Sequence, residues 1–234
     1  METMTTSIIL PFLVFFPFLG AVISYIIGRS NKGARDIWCW ILSAVIFIAS
    51  LTLVGKETVY SLRGFCGLGL SFAADGFGVI LAVLTGAIWL ITTIFSKEYM
   101  TAERNRNRYY FFVFLTLGAT MGIFLSADLF TTFIFFEIMS FTSFVLVMHD
   151  EEDFTVRSAK TYLAVAVIGG LVTLMGLFMM YQKAGTLNMA ELTAFMQSRE
   201  NPAEFYAIGV LILFGFAAKA GLFPLHIWLP NAYT

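Results

Sequence analysis

"DLFTTFIFFEIMSFTSFVLVMH", residues 128–149, sets one carboxylate, Glu137, inside a run with no other charge between Asp128 and His149. A run of this length suits a helix crossing a bilayer and is too long for a strand of a membrane barrel. Glu137 comes about nine residues into the run, near mid-bilayer at about 1.5 Å of rise per residue. Its helical face holds Phe133, Ser140, Phe141 and Phe144, so Ser140 is its only polar neighbour one turn on. An ionisable group at that depth is costly, and it marks a functional candidate whose partner has to be found.

The rest of the chain is written for the same solvent. Of its 234 residues, 59% are hydrophobic and 12% charged, where soluble domains carry about 25% charged. The 26 phenylalanines suit side chains facing acyl tails, and a net charge of −1 gives no electrostatic case for nucleic acid. Charge-free runs predict spans over roughly 7–28, 37–54, 77–96, 109–126, 128–148, 160–181 and 205–219. Only helices satisfy their backbone in lipid without closing a barrel. The expected fold is therefore all-α, a polytopic bundle of about seven transmembrane helices in one domain over residues 1–234. The first span is long for a signal peptide and has no basic n-region, Glu2 being the only early charge; it is expected to stay.

Basic residues give the orientation. Arg29, Lys32 and Arg35 follow span 1; Lys97, Arg104, Arg106 and Arg108 follow span 3; Arg157 and Lys160 follow span 5. The other connections hold Lys56, Arg63, Lys183 and Arg199. The positive-inside rule puts the first set in the cytoplasm and the N-terminus outside the cell membrane. Cys39 then falls near the inner end of span 2 and Cys66 in an outer connection, so a disulfide between them would have to cross the membrane. There is no CxxC pair to begin an iron–sulfur or zinc site. His149 and His226 leave a bis-His haem as a remote third class of function.

A second charge sits at membrane depth. In "FGFAAKAGLFPLHIWLP", residues 214–230, Lys219 ends an apolar run and two prolines and a histidine follow it. The seventh helix is therefore expected to break there. Irregular backbone at such depth is tolerated where it is buried in protein or lines a watery cavity, which is what a proton path requires. Lys219 is the evident partner for Glu137. The alternative is a static ion pair that fixes helix packing, or a lysine snorkelling to the interface.

"FFEIMSFTSFVLV", "SAKTYLAVAVIGG", "YQKAGTLNMAEL" and "KAGLFPLHIWLPNA", in that order, resemble motifs of one family. It comprises the antiporter-like proton-translocating subunits of respiratory complex I, Mrp-type cation/proton antiporters and energy-converting membrane hydrogenases. "FAADGFGVILAVLTGAIWLITTIFSKEYM" resembles the segment that precedes the family's first repeat. The resemblance implies helices 1–3 over 7–96 and most of a first repeat over 109–234. It makes Glu137 the glutamate of helix 5, Lys219 the lysine of broken helix 7 and Lys160 the lysine at the start of helix 6. His226 matches the histidine of the PxHxWLP segment, a position read first as structural and carried with Glu137, Lys219 and Lys160 as a candidate of the ion path. Asn231 stands where that motif usually carries aspartate.

Family members continue through helix 8 and a second, inverted repeat, and such repeats form half-channels together. The chain stops at Thr234, so the expected partners are other membrane subunits, including a chain that supplies helix 8 onward, if the sequence is not a truncation. The function implied is translocation of protons, or sodium/proton exchange, in a multisubunit redox-driven complex or an Mrp-type antiporter. Such a subunit is itself non-catalytic and needs no cofactor or metal, electrons belonging to its partners. A structural or assembly subunit is the alternative.

The remaining features read more plainly. Asp75 and Asp128 are expected as helix N-caps, and Gly118 with Gly122 as a close-packing site. "ERNRNRYY" is expected as an interfacial anchor, and 188–198 as a short amphipathic segment on the membrane surface.

Overall fold

The computed structural model describes residues 5–62, 64–101, 103–198 and 203–233. Glu2, Arg63 and Arg199, used above for the signal-peptide and orientation arguments, lie outside them. The chain forms two compact units that meet in sequence at Ser126 and Ala127.

In the first unit the helices are α1 (Ile9–Ser30), α2 (Lys32–Leu51), α3 (Gly76–Tyr99) and α4 (Arg106–Phe124). Neighbouring helices are stitched by indole N–H groups donating to backbone carbonyls. Trp38 donates from α2 to Gly20 at 3.1 Å, Trp40 from α2 to Thr93 at 3.1 Å and Trp89 from α3 to Val113 at 3.1 Å. Ser43 and Thr93 add a hydroxyl pair at 2.7 Å between α2 and α3. Such interhelical bonds are worth about 0.6 kcal/mol each in a bilayer and mainly fix helix rotation. On α4, a methyl placed on Gly118 would come within 2.8 Å of the Val14 carbonyl of α1, so the expected close packing is present.

The connection from α2 to α3 is structured, which the spans did not foretell. Strands β1 (Thr5–Thr6), β2 (Thr58–Leu62) and β3 (Leu70–Ala74) form a small sheet in that order. β1 runs parallel to β2, and β2 pairs antiparallel with β3 from Thr58↔Ala74 to Leu62↔Leu70. Phe72 of β3 is fully buried and meets the Phe15 ring of α1 edge-on at 6.2 Å. Asp75 then caps α3, accepting from the Gly78 N–H at 2.6 Å.

In the second unit lie α5 (Leu129–Val147), α6 (Asp153–Ala184), α7 (Met189–Gln197), α8 (Ala203–Ala220) and α9 (Trp228–Tyr233). Asp128 caps α5, its carboxylate accepting from the Thr131 N–H at 2.7 Å and the Thr131 hydroxyl at 2.6 Å. The short segment expected over 188–198 forms α7, capped by Asn188. Its Leu192 enters a core with Phe130, Phe133, Leu177, Phe205 and Ile208.

Among the described residues six helical segments are long and apolar enough to cross a membrane: α1, α2, α3, α5, α6 and the stretch of α8 through α9. The protein is an all-α, multi-pass integral membrane protein. Large apolar side chains such as Ile26, Phe77, Ile80 and Phe95 are exposed on the outside of these helices. α4 occupies the predicted fourth span but falls short of that standard, because Arg106, Asn107 and Arg108 fill its first turn.

Candidate functional site

Lys219 occupies the last turn of α8, and the local sequence ends the helix just beyond it. Gly221 takes the left-handed conformation, φ +68°, that a β-carbon disfavours. The Leu222 N–H then reaches the Ala217 carbonyl at 3.0 Å and the Gly221 N–H the Ala218 carbonyl at 3.4 Å. This is the Schellman pattern. Pro224, after a cis peptide bond, leads into a single 3-10 turn, Leu225–Ile227, and then α9. The break predicted after Lys219 is present.

α9 folds back on this end. Trp228 donates its indole N–H to the Ala218 carbonyl at 2.9 Å. Its ring lies 4.8 Å from that of Tyr162 on α6, whose hydroxyl pairs with Ser143 of α5 at 2.8 Å. Three helices thus converge on the carbonyl end of α8, where a cation also complements the helix dipole.

From there the Lys219 ammonium reaches α5. Its Nζ donates to Glu137 Oε1 at 2.5 Å and lies 3.4 Å from the Phe136 carbonyl. It also lies 4.7 Å from the centroid of the Phe136 ring, a cation–π contact. Only 4% of the Lys219 side chain is exposed, against 21% for Glu137. The pair is therefore asymmetric: the carboxylate keeps a free flank and the amine does not. Ser140 turns away from Glu137 and donates to the Phe136 carbonyl at 2.8 Å.

α6 makes the approach possible. A methyl on Gly170 would lie 2.4 Å from Glu137 Oε1, so the carboxylate sits where any larger residue would stand. A methyl on Gly169 would lie 2.9 Å from the Ala218 β-carbon, and one on Gly215 would lie 2.3 Å from the Gly169 carbonyl. This small-residue seam lets α6 and α8 approach closely. Gly169 and Gly170 were not among the residues expected at the site. Their signal was there, adjacent glycines mid-span in "VIGGLV", but glycine is common in membrane helices and marks no face on its own.

The other two expected residues are not brought into contact with the pair. Lys160 is exposed near the start of α6, ten positions before Gly170 and so about 15 Å along the axis. His226 lies in the 3-10 turn, its ring 5.5 Å from Phe223, and its buried Nδ1 has no hydrogen-bond partner among the described residues.

The second unit thus holds a broken apolar helix whose last-turn lysine meets a mid-helix glutamate of a neighbouring helix. Residues 126–234 match the family described as "NADH:quinone oxidoreductase/Mrp antiporter, TM". It is 29% identical over 235 residues to a Na(+)/H(+) antiporter subunit of Alkalihalophilus pseudofirmus, covering 98% of this chain and 47% of that protein. Against the corresponding Na(+)/H(+) antiporter subunit of Bacillus subtilis it is 31% identical over 237 residues, with 98% and 47% covered. The chain thus spans about half the length of the relatives it matches. Two solved structures share the fold. The membrane-bound sulfane sulfur reductase, an archaeal respiratory membrane complex, aligns with TM-score 0.86 at 22% identity, over 97% of this chain and 48% of that one. The Mrp complex from Dietzia sp. aligns with TM-score 0.81 at 24% identity, over 96% and 43%.

Proposed function

We propose that the chain is an ion-translocating subunit of a multisubunit membrane complex, moving protons or exchanging sodium for protons through the Glu137–Lys219 pair. The observation that carries this is the 2.5 Å contact between a lysine at the broken end of α8 and a glutamate with a free flank, at a place where α6 has given up its side chain. A lysine so placed holds its proton while the carboxylate is charged and close, and yields it when the carboxylate withdraws. Lys160 and His226 would serve as outer stations on the path rather than members of the pair. The rest of the path belongs to the half of the relatives' length that these residues do not span and to other membrane subunits, with the N-terminus outside the cell membrane.

The test is proton or sodium flux of the whole complex in vesicles, beside a blue-native gel for assembly. Lys219→Ala is expected to abolish flux while the complex still assembles. Glu137→Gln keeps the shape and removes the charge that holds the ammonium, so flux falls. A pair that only locks helices would instead lose assembly in Lys219→Ala.

A further inference from the structure

The first unit has a polar site that takes no part in this chemistry. Arg35 of α2 is 1% exposed. It donates to Asp36 Oδ1 at 2.7 Å and to Asn107 of α4, and its guanidinium lies 4.8 Å from the Tyr110 ring centroid. Arg106 shares Asp36, at 3.3 Å from Oδ2. Its own Nε is buried with no hydrogen-bond partner among the described residues. This knot floors a cleft of about 860 Å³ between the end of α1 and the starts of α2 and α4. Five cations line it: Lys32, Arg35, Arg104, Arg106 and Arg108. Glu103 is the carboxylate that lines the cleft with them, and Asp36 is taken up by Arg35 and Arg106.

Helix stability does not account for this charge. Lys32 and Arg35 fall in the first turn of α2, and Arg106 and Arg108 in the first turn of α4, where a cation opposes the helix dipole. The wall on the other side is aromatic. Tyr25 meets Phe111 at 5.7 Å between ring centroids, and both line the cleft. Tyr25 is 41% exposed and Ile26, next on α1, 61%, so an apolar flank runs from the cleft along a membrane-crossing helix.

We propose that this cleft binds the phosphate headgroup of an anionic phospholipid, with the acyl chains lying along α1. Guanidinium groups match phosphate oxygens with paired N–H donors. The volume suits a headgroup, and basic pockets between membrane helices are the sites at which such lipids are held. The apolar exit commits the site to a lipid rather than to a free phosphate ion. The site needs only an anionic leaflet, so it stands or falls separately from the proton path.

The test uses the purified complex in neutral detergent, with dioctanoyl-phosphatidylglycerol as the probe and dioctanoyl-phosphatidylcholine and inorganic phosphate as competitors. Lys32 and Arg104 are exposed and can be changed without touching the buried knot. With about fivefold in affinity per cation near a membrane surface, Lys32→Gln with Arg104→Gln should weaken phosphatidylglycerol about twenty-fivefold and leave phosphatidylcholine unchanged. Glu103→Gln removes the acidic rim and should tighten binding about fivefold, a gain that misfolding cannot produce. Equal affinity for the two lipids, or variants that bind as wild type does, would overturn the proposal. Displacement by phosphate at equal concentration would also overturn it, by making the site one for a free anion.

Discussion

Gly170→Ala asks whether the Glu137–Lys219 contact matters, without touching either residue. The added methyl would sit 2.4 Å from Glu137 Oε1 and 2.9 Å from its Cδ. Ordinary contact needs about 3.4 Å or more between such atoms, so the carboxylate must move by about 1 Å. It is the free end of a flexible side chain and swings toward its exposed flank at little cost to the fold. The contact with Lys219, 2.5 Å in the native arrangement, does not survive such a shift as a good hydrogen bond. A charge-assisted bond of this kind is worth about 1.5–3 kcal/mol, so the paired state becomes about ten- to hundredfold rarer. Flux of the whole complex in vesicles should fall by a comparable factor, with a normal blue-native band. Gly209→Ala, on α8 where a methyl meets nothing within 4 Å, is the control and should behave as wild type. Wild-type flux from an assembled Gly170→Ala complex would refute the claim that this contact governs transport.

Trp228→Phe keeps the ring against Tyr162 and removes the indole bond to the Ala218 carbonyl; the loss should be about 1 kcal/mol, read as a lower Tm of the solubilised complex. Arg35→Ala leaves Asp36 buried with Arg106 as its remaining cation, and should cost about 1.5–3 kcal/mol, read as reduced accumulation of the protein in membranes. An impermeant maleimide on intact cells should label Cys66, which is exposed, if the N-terminus is outside. Cys39 is fully buried and should stay unlabelled even in opened cells, although its position near a helix end alone would suggest otherwise.

The membrane fold and the two central charges were legible because each breaks a one-dimensional pattern. Glu137 and Lys219 interrupt apolar runs, and the prolines that follow Lys219, Pro224 first, announce the end of α8. Asp75 and Asp128 were legible as caps for the same reason: a carboxylate stands just before a run begins. What was missed depends on contacts between distant residues. Gly170 matters only because α5 brings Glu137 against it, and no spacing along α6 encodes that. The Arg35–Asp36–Arg106 knot joins residues 70 positions apart, and "ERNRNRYY" on its own reads as a surface anchor. β2 and β3 were hidden by their shortness and by the glycine-rich stretch between them, which resembles an ordinary loop.

Lys219→Arg tests the central claim most directly. An arginine keeps the positive charge and can still reach Glu137, but a guanidinium does not give up its proton in a protein. If Lys219 carries the translocated proton, the arginine complex should assemble normally and show no coupled flux in vesicles. An arginine complex that pumps at nearly the wild-type rate would contradict the account and leave the pair as a device for holding α5 to α8.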